Sequence, residues 1–178
     1  MKIIHIDGDI LARSMPTVLI VFSLLYVFMH WTVDSLILVG LMMVSLIAVG
    51  ILKNIIRQQR PSQTSTQRKK DPCIDNGLGF HSGIHTYGMP SGHTLVTTAF
   101  AVFALGLSYS HSNKPGKDIS DFQWIYYAAA TVLFIGLPIF VARQRLRIAC
   151  HSKSQITVGG IIGAVLGATA LQLRQSFN

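Results

Sequence analysis

Five long apolar stretches alternate with polar segments along the chain, and none carries the polar stripe of a soluble surface helix. They cover residues 17–33, 35–52, 90–110, 124–142 and 156–173. A helix that crosses a bilayer needs roughly 17–25 residues, so each stretch can span at the short end of that range. The pattern predicts an all-α integral membrane bundle of about five transmembrane helices, not a soluble helical bundle.

The polar connections place three segments at one end of this bundle. Residues 53–89 form a long polar loop, 111–123 a medium loop and 143–155 a short basic loop, while Asp34 marks a tight turn. Pro138 predicts a kink in the fourth span, and glycines in the fifth span suit close helix packing. With five spans in a single domain over residues 1–178, spans two and four end on the face where spans three and five begin.

Composition and charge support this picture. Charged residues make up 12% of the chain, about half the usual fraction of roughly 25%. The net charge of +8 lies beside apolar segments, which favours the bilayer and anionic phosphate groups as partners and argues against nucleic acid. The first residues carry Asp7, Asp9 and Arg13 and do not resemble a cleavable signal. Cys73 and Cys150 could form one bridge, although unpaired thiols are the expectation.

The first candidate segment follows span two. Lys53 and Arg60 are seven residues apart, about two helical turns, so they share a face if the helix continues. Pro61 favours a helix end at this point. Taken alone, the pair is typical of a basic cluster that meets lipid head groups.

The second segment opens span three with Pro90, Ser91, Gly92 and His93. A Ser-Gly turn at a helix start offers free backbone N–H groups, and the helix dipole adds positive potential, so the turn favours an oxyanion. His93 can donate a proton to a leaving oxygen. An ordinary N-cap serine followed by an interfacial histidine is the alternative.

The third segment carries Arg145 and His151, with Gln155 four residues further on. A spacing of four stacks His151 and Gln155 on one helix face. Gln155 can then accept a hydrogen bond from one ring nitrogen and leave the other nitrogen free as a nucleophile. On this interpretation aspartate would also serve at position 155. An interfacial histidine in a basic loop is the alternative.

Together the three segments resemble the phosphatidic acid phosphatase type 2 (PAP2) superfamily, whose pattern is K-x6-RP, then PSGH, then SR-x5-H-x3-D. Two positions depart from it, because Gln144 replaces the serine and Gln155 the aspartate. The dolichyl diphosphatase branch resembles the chain more closely, with a Tyr-Gly-Met before the second motif and a glutamine and Gly-Gly after the third-motif histidine. Family members usually have six core spans, and this chain shows five.

The resemblance implies a lipid phosphatase that acts on a polyprenyl diphosphate through a phosphohistidine. His151 would be the nucleophile, His93 the proton donor and Gln155 the orienting residue. The phosphate oxygens would be held by five residues: Lys53, Arg60, Ser91, Gly92 and Arg145. The carboxylates are too few and scattered for a two-metal site, so the sequence predicts no metal and no cofactor.

Two other functions and the membrane side stay open. The chain could act on phosphatidic acid or a related lipid monophosphate, or it could be a catalytically weak lipid-binding scaffold, which only Gln155 favours. The protein would lie in the endoplasmic reticulum if eukaryotic, or in the plasma membrane if bacterial. Most of the fifteen Lys and Arg lie on the motif-bearing side, so the positive-inside rule places that side in the cytoplasm. The resemblance implies the lumenal or outer side.

Overall fold

The computed structural model describes residues 8–61, 87–110 and 121–177. They form five helices: α1 Gly8–Met29, α2 Val33–Ile56, α3 Gly92–Ser110, α4 Asp121–Arg147 and α5 Lys153–Gln175. All five are long and apolar enough to cross a membrane. The prediction of an all-α bundle with five spanning helices is confirmed, and the described ranges contain no β-strand, only an isolated bridge.

The helices reach further into the polar segments than the apolar stretches indicated. α2 continues to Ile56, so Lys53 lies in its last turn, and α4 continues to Arg147. The predicted basic loop therefore shrinks to the residues between α4 and α5, because polar side chains continue a helix as readily as apolar ones at the membrane surface. α4 also runs through Pro138 without ending.

α3 forms the centre of the bundle and contacts each of the other four helices. Its buried side chains include Leu95, Val96 and Phe103, all exposed by 1% or less. The outer helices leave most of their apolar side chains exposed, as expected for surfaces that face lipid chains. The central position of α3 also fixes its N-terminus, where the second motif lies.

α5 packs on α3 through three glycines that are four residues apart. A Cβ atom at Gly159, Gly163 or Gly167 would come within 3.0 Å of the α3 carbonyl oxygens of residues 91, 95 and 99 in turn. Only glycine allows this approach, so the predicted close packing is confirmed at these positions. The contact sets the register between the second and third motifs.

The opposite end of the bundle is closed by an ion pair. Arg174 Nε donates to Asp34 Oδ1 at 2.6 Å and Arg174 Nη2 donates to Asp34 Oδ2 at 3.3 Å. This bidentate pair joins the last turn of α5 to the first turn of α2. It ties together the two helices that carry Lys53 and Gln155 at the other end.

Candidate active site

The three motif segments meet at one end of the bundle through backbone hydrogen bonds. Gln59 pairs with Tyr87 in an antiparallel bridge, and the Gly88 N–H donates to the Gln58 carbonyl at 2.7 Å. The Ser91 N–H donates to the Gln155 carbonyl at 3.0 Å. These bonds connect the first segment to the second and the second to the third, as the count of spans predicted.

A tight turn after α4 places His151 close behind Arg145. The Cys150 N–H donates to the Arg145 carbonyl at 3.2 Å, and the Ala149 N–H donates to the Leu146 carbonyl at 3.0 Å. This is a Schellman motif, with Ala149 in the left-handed region at a φ of 53°. The left-handed residue turns the chain sharply, so that α5 can begin two residues after His151.

Six polar side chains of the predicted site are buried at this end of the bundle. They are Lys53, Arg60, Ser91, Arg145, His151 and Gln155, and their exposed fractions range from 0% to 7%. No carboxylate occurs among the buried side chains of the described residues, so the described part of the site is rich in positive charge and suits an anion.

His151 lies within the field of these cations. Burial lowers its pKa from 6.5 to about 3, and the charges of Arg60, Arg145, Lys53 and His93, in decreasing order, lower it as well. The imidazole is therefore neutral at pH 7, as a nitrogen nucleophile must be. These four side chains come from all three motif segments, so the charges of all three segments act on this one ring.

The Gln155 amide holds the His151 ring and is itself held on both sides. Gln155 Oε1 lies 3.3 Å from His151 Nδ1 and accepts from the Ser152 N–H at 3.1 Å. Gln155 Nε2 donates to the Gln59 carbonyl at 3.0 Å and to Gln58 Oε1 at 3.2 Å. Because both amide ends have fixed partners, the oxygen must face His151. Nδ1 then carries the ring proton, and Nε2 keeps its lone pair.

This network changes the expectation for aspartate at position 155. A carboxylate could accept from His151 and Ser152, but it could not donate to Gln59 or Gln58. The Gln59 carbonyl, which can only accept, would then face a negative charge in a buried position. The amide of Gln155 therefore has a second task that a carboxylate cannot perform.

Gly88 is a part of the site that the sequence motifs did not single out. A Cβ atom there would lie 2.5–2.7 Å from the amide atoms of Gln155, so any side chain would displace the group that orients His151. Gln58 and Gln59, which hold that amide, were also missed. Gly88 stands inside the Tyr-Gly-Met segment of the second motif, but the neighbours that require glycine come from α5 and are visible only in three dimensions.

Ser91 and Gly92 form the start of α3 as predicted. The Ser91 carbonyl accepts from the Leu95 N–H at 3.0 Å, and its hydroxyl lies 3.0 Å from the Thr94 hydroxyl. A Cβ atom at Gly92 would come within 2.9 Å of Val49 in α2. The turn is thus packed tightly against α2, with the N-terminus of α3 directed to the same end of the bundle as the buried cations.

His93 lies in the first turn of α3 and contacts α1. Its Nε2 is 3.2 Å from the Arg13 carbonyl oxygen. A carbonyl can only accept, so Nε2 carries a proton in this contact. The contact fixes the ring and makes Nδ1 the nitrogen of His93 that suits proton transfer.

Cys150 corrects one expectation from the sequence. It is fully buried and takes part in a disulfide bond, so the expectation of unpaired thiols is wrong. Cys73 lies outside the described residues, as do His81, His85 and His111. The bond anchors the residue directly before His151.

The described part of the chain is an apolar five-helix bundle that buries three cations and a neutral histidine at one end. This arrangement defines a membrane protein that binds an anionic group. The family model of the PAP2 superfamily matches residues 35–178. The chain belongs to this superfamily, whose members act on phosphate esters, and it is a multi-pass membrane phosphatase of the lipid phosphate type. The curated proteins and the solved structures contain no match to it.

Proposed function

We propose that the protein hydrolyses a polyprenyl diphosphate to the monophosphate and inorganic phosphate through a phosphohistidine intermediate. The observation that carries this proposal is the neutral His151 ring, fixed by Gln155 and surrounded by Lys53, Arg60 and Arg145. A neutral imidazole can attack phosphorus, and buried cations stabilise the charge on the transferring group.

In the first step, His151 Nε2 attacks the terminal phosphorus and a bond forms between them. The bond from phosphorus to the bridging oxygen breaks, and this oxygen leaves with the lipid monophosphate. His93 donates the proton that the leaving oxygen needs. The phosphorylated ring is cationic, and its Nδ1–H remains hydrogen-bonded to Gln155 Oε1.

In the second step, water attacks the phosphorus of the phosphohistidine. His93, now unprotonated, accepts the proton of that water and returns to its starting state. The bond from phosphorus to Nε2 breaks, and inorganic phosphate leaves with His151 neutral again. The burial and the cations that lower the pKa of His151 favour this return.

The three cations and the start of α3 hold the nonbridging oxygens. Arginine forks suit phosphate oxygens in pairs, and the N–H groups of Ser91 and Gly92 stand at a helix N-terminus. The Ser91 N–H already donates to Gln155, which leaves Gly92 as the better donor for the substrate. We assign no metal to the reaction, since no three His, Cys, Asp or Glu side chains of the described residues come together.

The preference for a diphosphate rests on the resemblance to dolichyl diphosphatases, which share the glutamine at the position of Gln155. In the structure the side chain of this glutamine contacts His151 through Oε1 and donates to the Gln59 carbonyl of the first segment through Nε2. Its presence therefore fits a maintained site better than a degenerate scaffold, because a decayed site would have no reason to keep both contacts.

We place the active site on the lumenal or outer side of the membrane. The disulfide bond of Cys150 supports this side, because disulfides persist in oxidising compartments and are rare in the cytosol. The positive charges at this end are then explained in part by the site itself, since Lys53, Arg60 and Arg145 are buried rather than at the lipid surface.

The test is phosphate release by the purified protein from polyprenyl diphosphates, polyprenyl monophosphates and phosphatidic acid, each with EDTA. We expect the diphosphate to be the best substrate, with the rate unchanged by the chelator. His151→Ala should fold and release no phosphate, and wild-type protein quenched during turnover should carry acid-labile, base-stable phosphate.

Other outcomes select the other functions. A preference for phosphatidic acid would make the protein a lipid monophosphate phosphatase, and binding without turnover would make it a scaffold. Turnover by a folded His151→Ala protein would refute the phosphohistidine. A rate that falls in EDTA and returns with added magnesium would refute the metal-free reaction.

A further inference from the structure

Arg13 is a cation within a membrane helix that belongs to none of the three motifs. It lies in the second turn of α1, inside the candidate span Ile10–Met29. Charged residues in membrane spans are rare, costly and usually functional. The family match begins at residue 35, so Arg13 also lies outside the segment that the chain shares with its superfamily.

The side chain of Arg13 carries a buried hydrogen-bond donor that lacks an acceptor among the described residues. It is half-buried, and its Nε is fully buried without a hydrogen-bond partner among the described residues. A buried donor on a charged group that lacks an acceptor is destabilising, more so in an apolar environment. An anion bound beside the half-buried side chain would balance its charge.

The backbone of Arg13 contacts the site through a hydrogen bond with His93. Its carbonyl oxygen lies 3.2 Å from His93 Nε2, and the charge of His93 acts on His151. α1 therefore passes His93 at the level of Arg13. In the proposed reaction Nδ1 of His93 serves the bridging oxygen, which joins the attacked phosphate to the phosphate that stays with the lipid.

We propose that Arg13 is a further phosphate-binding residue of this site and holds the phosphate group of a diphosphate that is not attacked. The inference rests on the proposed function. Lys53, Arg60 and Arg145 surround His151 and serve the transferring phosphoryl group. Arg13 stabilises the charge on the departing lipid monophosphate, and this added cation makes the site selective for diphosphates over monophosphates.

The kinetic test compares Arg13→Gln and Arg13→Lys with wild type on a polyprenyl diphosphate and on the monophosphate of the same lipid. For Arg13→Gln we expect kcat/KM to fall roughly 10- to 100-fold for the diphosphate, the value of a charge-assisted hydrogen bond. The monophosphate rate should change less than about threefold, since the contact is absent there. Arg13→Lys should recover part of the loss.

Arg147→Ala is the matched control. Arg147 is a cation at the same end of the bundle, but its side chain is exposed, so its removal should leave both rates unchanged. Equal losses for both substrates in Arg13→Gln would show that Arg13 only supports α1 and His93, and would overturn the proposal. Wild-type rates on both substrates in Arg13→Gln would overturn it as well.

A binding measurement separates this inference from the proposed function. Methylenediphosphonate and inorganic phosphate are titrated into wild-type protein and Arg13→Gln in detergent, and affinity is measured by calorimetry. We expect the variant to lose affinity for methylenediphosphonate roughly 10-fold or more and to keep its affinity for phosphate. This result would support Arg13 even if polyprenyl diphosphates were not turned over.

The reverse combination is equally informative. If polyprenyl diphosphate is hydrolysed by wild type but Arg13→Gln binds methylenediphosphonate unchanged, the proposed function stands and the role of Arg13 is refuted. Circular dichroism and gel filtration in detergent establish that each variant is folded. If Arg13→Gln does not fold, Arg13→Lys takes its place in the binding measurement. An affinity of Arg13→Lys for methylenediphosphonate below that of wild type is expected, and an affinity equal to that of wild type would count against the proposal.

Discussion

Gln155 Oε1 lies 3.3 Å from His151 Nδ1, while the Nε2 of the same amide donates to the Gln59 carbonyl at 3.0 Å. One side chain thus orients the proposed nucleophile and fastens the first motif segment to the third. Both tasks require an amide, because only an amide offers an acceptor and donors at one carbon.

Substitutions at Gln155 should separate these two tasks. We expect Gln155→Ala to lower kcat roughly 10- to 100-fold, as for other groups that orient a reacting side chain. Gln155→Asp should be no better than alanine, because its carboxylate is one methylene shorter and would face the Gln59 carbonyl, which can only accept. Steady-state phosphate release measures both effects, and Gln175→Ala, an exposed glutamine at the far end of α5, is the control.

A second change sharpens the test at Gln155. In a Gln58→Lys protein, the new ammonium could donate to an aspartate at position 155, so the double variant should be more active than Gln155→Asp alone. Wild-type activity in Gln155→Asp itself would show that the donated hydrogen bonds have no part in positioning His151.

The lowered pKa of His151 predicts how the ring responds to pH. A ring with a pKa of about 3 stays neutral from pH 8 to pH 5, whereas an ordinary histidine gains a proton near pH 6.5. In a titration followed by NMR of labelled histidine, the signal that is lost in His151→Ala should not shift across this range. A midpoint near 6.5 for this signal would contradict the cationic surroundings of His151.

The same shift has a consequence for stability. Between pH 6.5 and about 3 the unfolded chain binds a proton at residue 151 and the folded chain does not, so stability falls as the pH falls through this window. The free energy of unfolding of wild type should decrease more between pH 7 and pH 5 than that of His151→Ala. An equal decrease in both proteins would assign the pH dependence to other groups.

Gly88 should tolerate no side chain. A methyl group there would lie 2.5–2.7 Å from the Gln155 amide, so Gly88→Ala must shift Gln155 and with it His151. We expect a loss of stability of roughly 1–3 kcal/mol from overpacking and a kcat at least as low as that of Gln155→Ala. Gly40→Ala is the matched control, because a Cβ atom at Gly40 meets nothing within 4 Å.

The membrane side of the site can be tested with single cysteines placed in a chain that carries Cys73→Ser and Cys150→Ser. Lys153 is exposed beside His151, and Gln175 is exposed at the opposite end of α5. In intact cells or sealed vesicles of known orientation, a membrane-impermeant maleimide should label Lys153→Cys from the lumenal or outer side and leave Gln175→Cys unlabelled. The reverse pattern would place the site in the cytoplasm.

The sequence by itself determined the helices and the end of the bundle at which the chemistry lies. Apolar runs of membrane-spanning length must form helices, because lipid offers no partner for free backbone groups. Counting five of them places the motif of Lys53, the turn at Ser91 and the segment of His151 at one end. The spacing of four between His151 and Gln155 also predicted their contact, but for a different reason than the one the structure shows. His151 precedes Ser152, the N-cap of α5, and Gln155 reaches back to both residues as part of a capping box.

Only the tertiary structure decided what surrounds that contact. The need for glycine at position 88, the second use of the Gln155 amide and the approach of α1 to His93 all depend on residues far apart in the chain. Such contacts are set by how α1, α3 and α5 pack. Three glycines bring α5 against the α3 backbone. Periodicity along one segment carries no information about which distant segment will lie beside it.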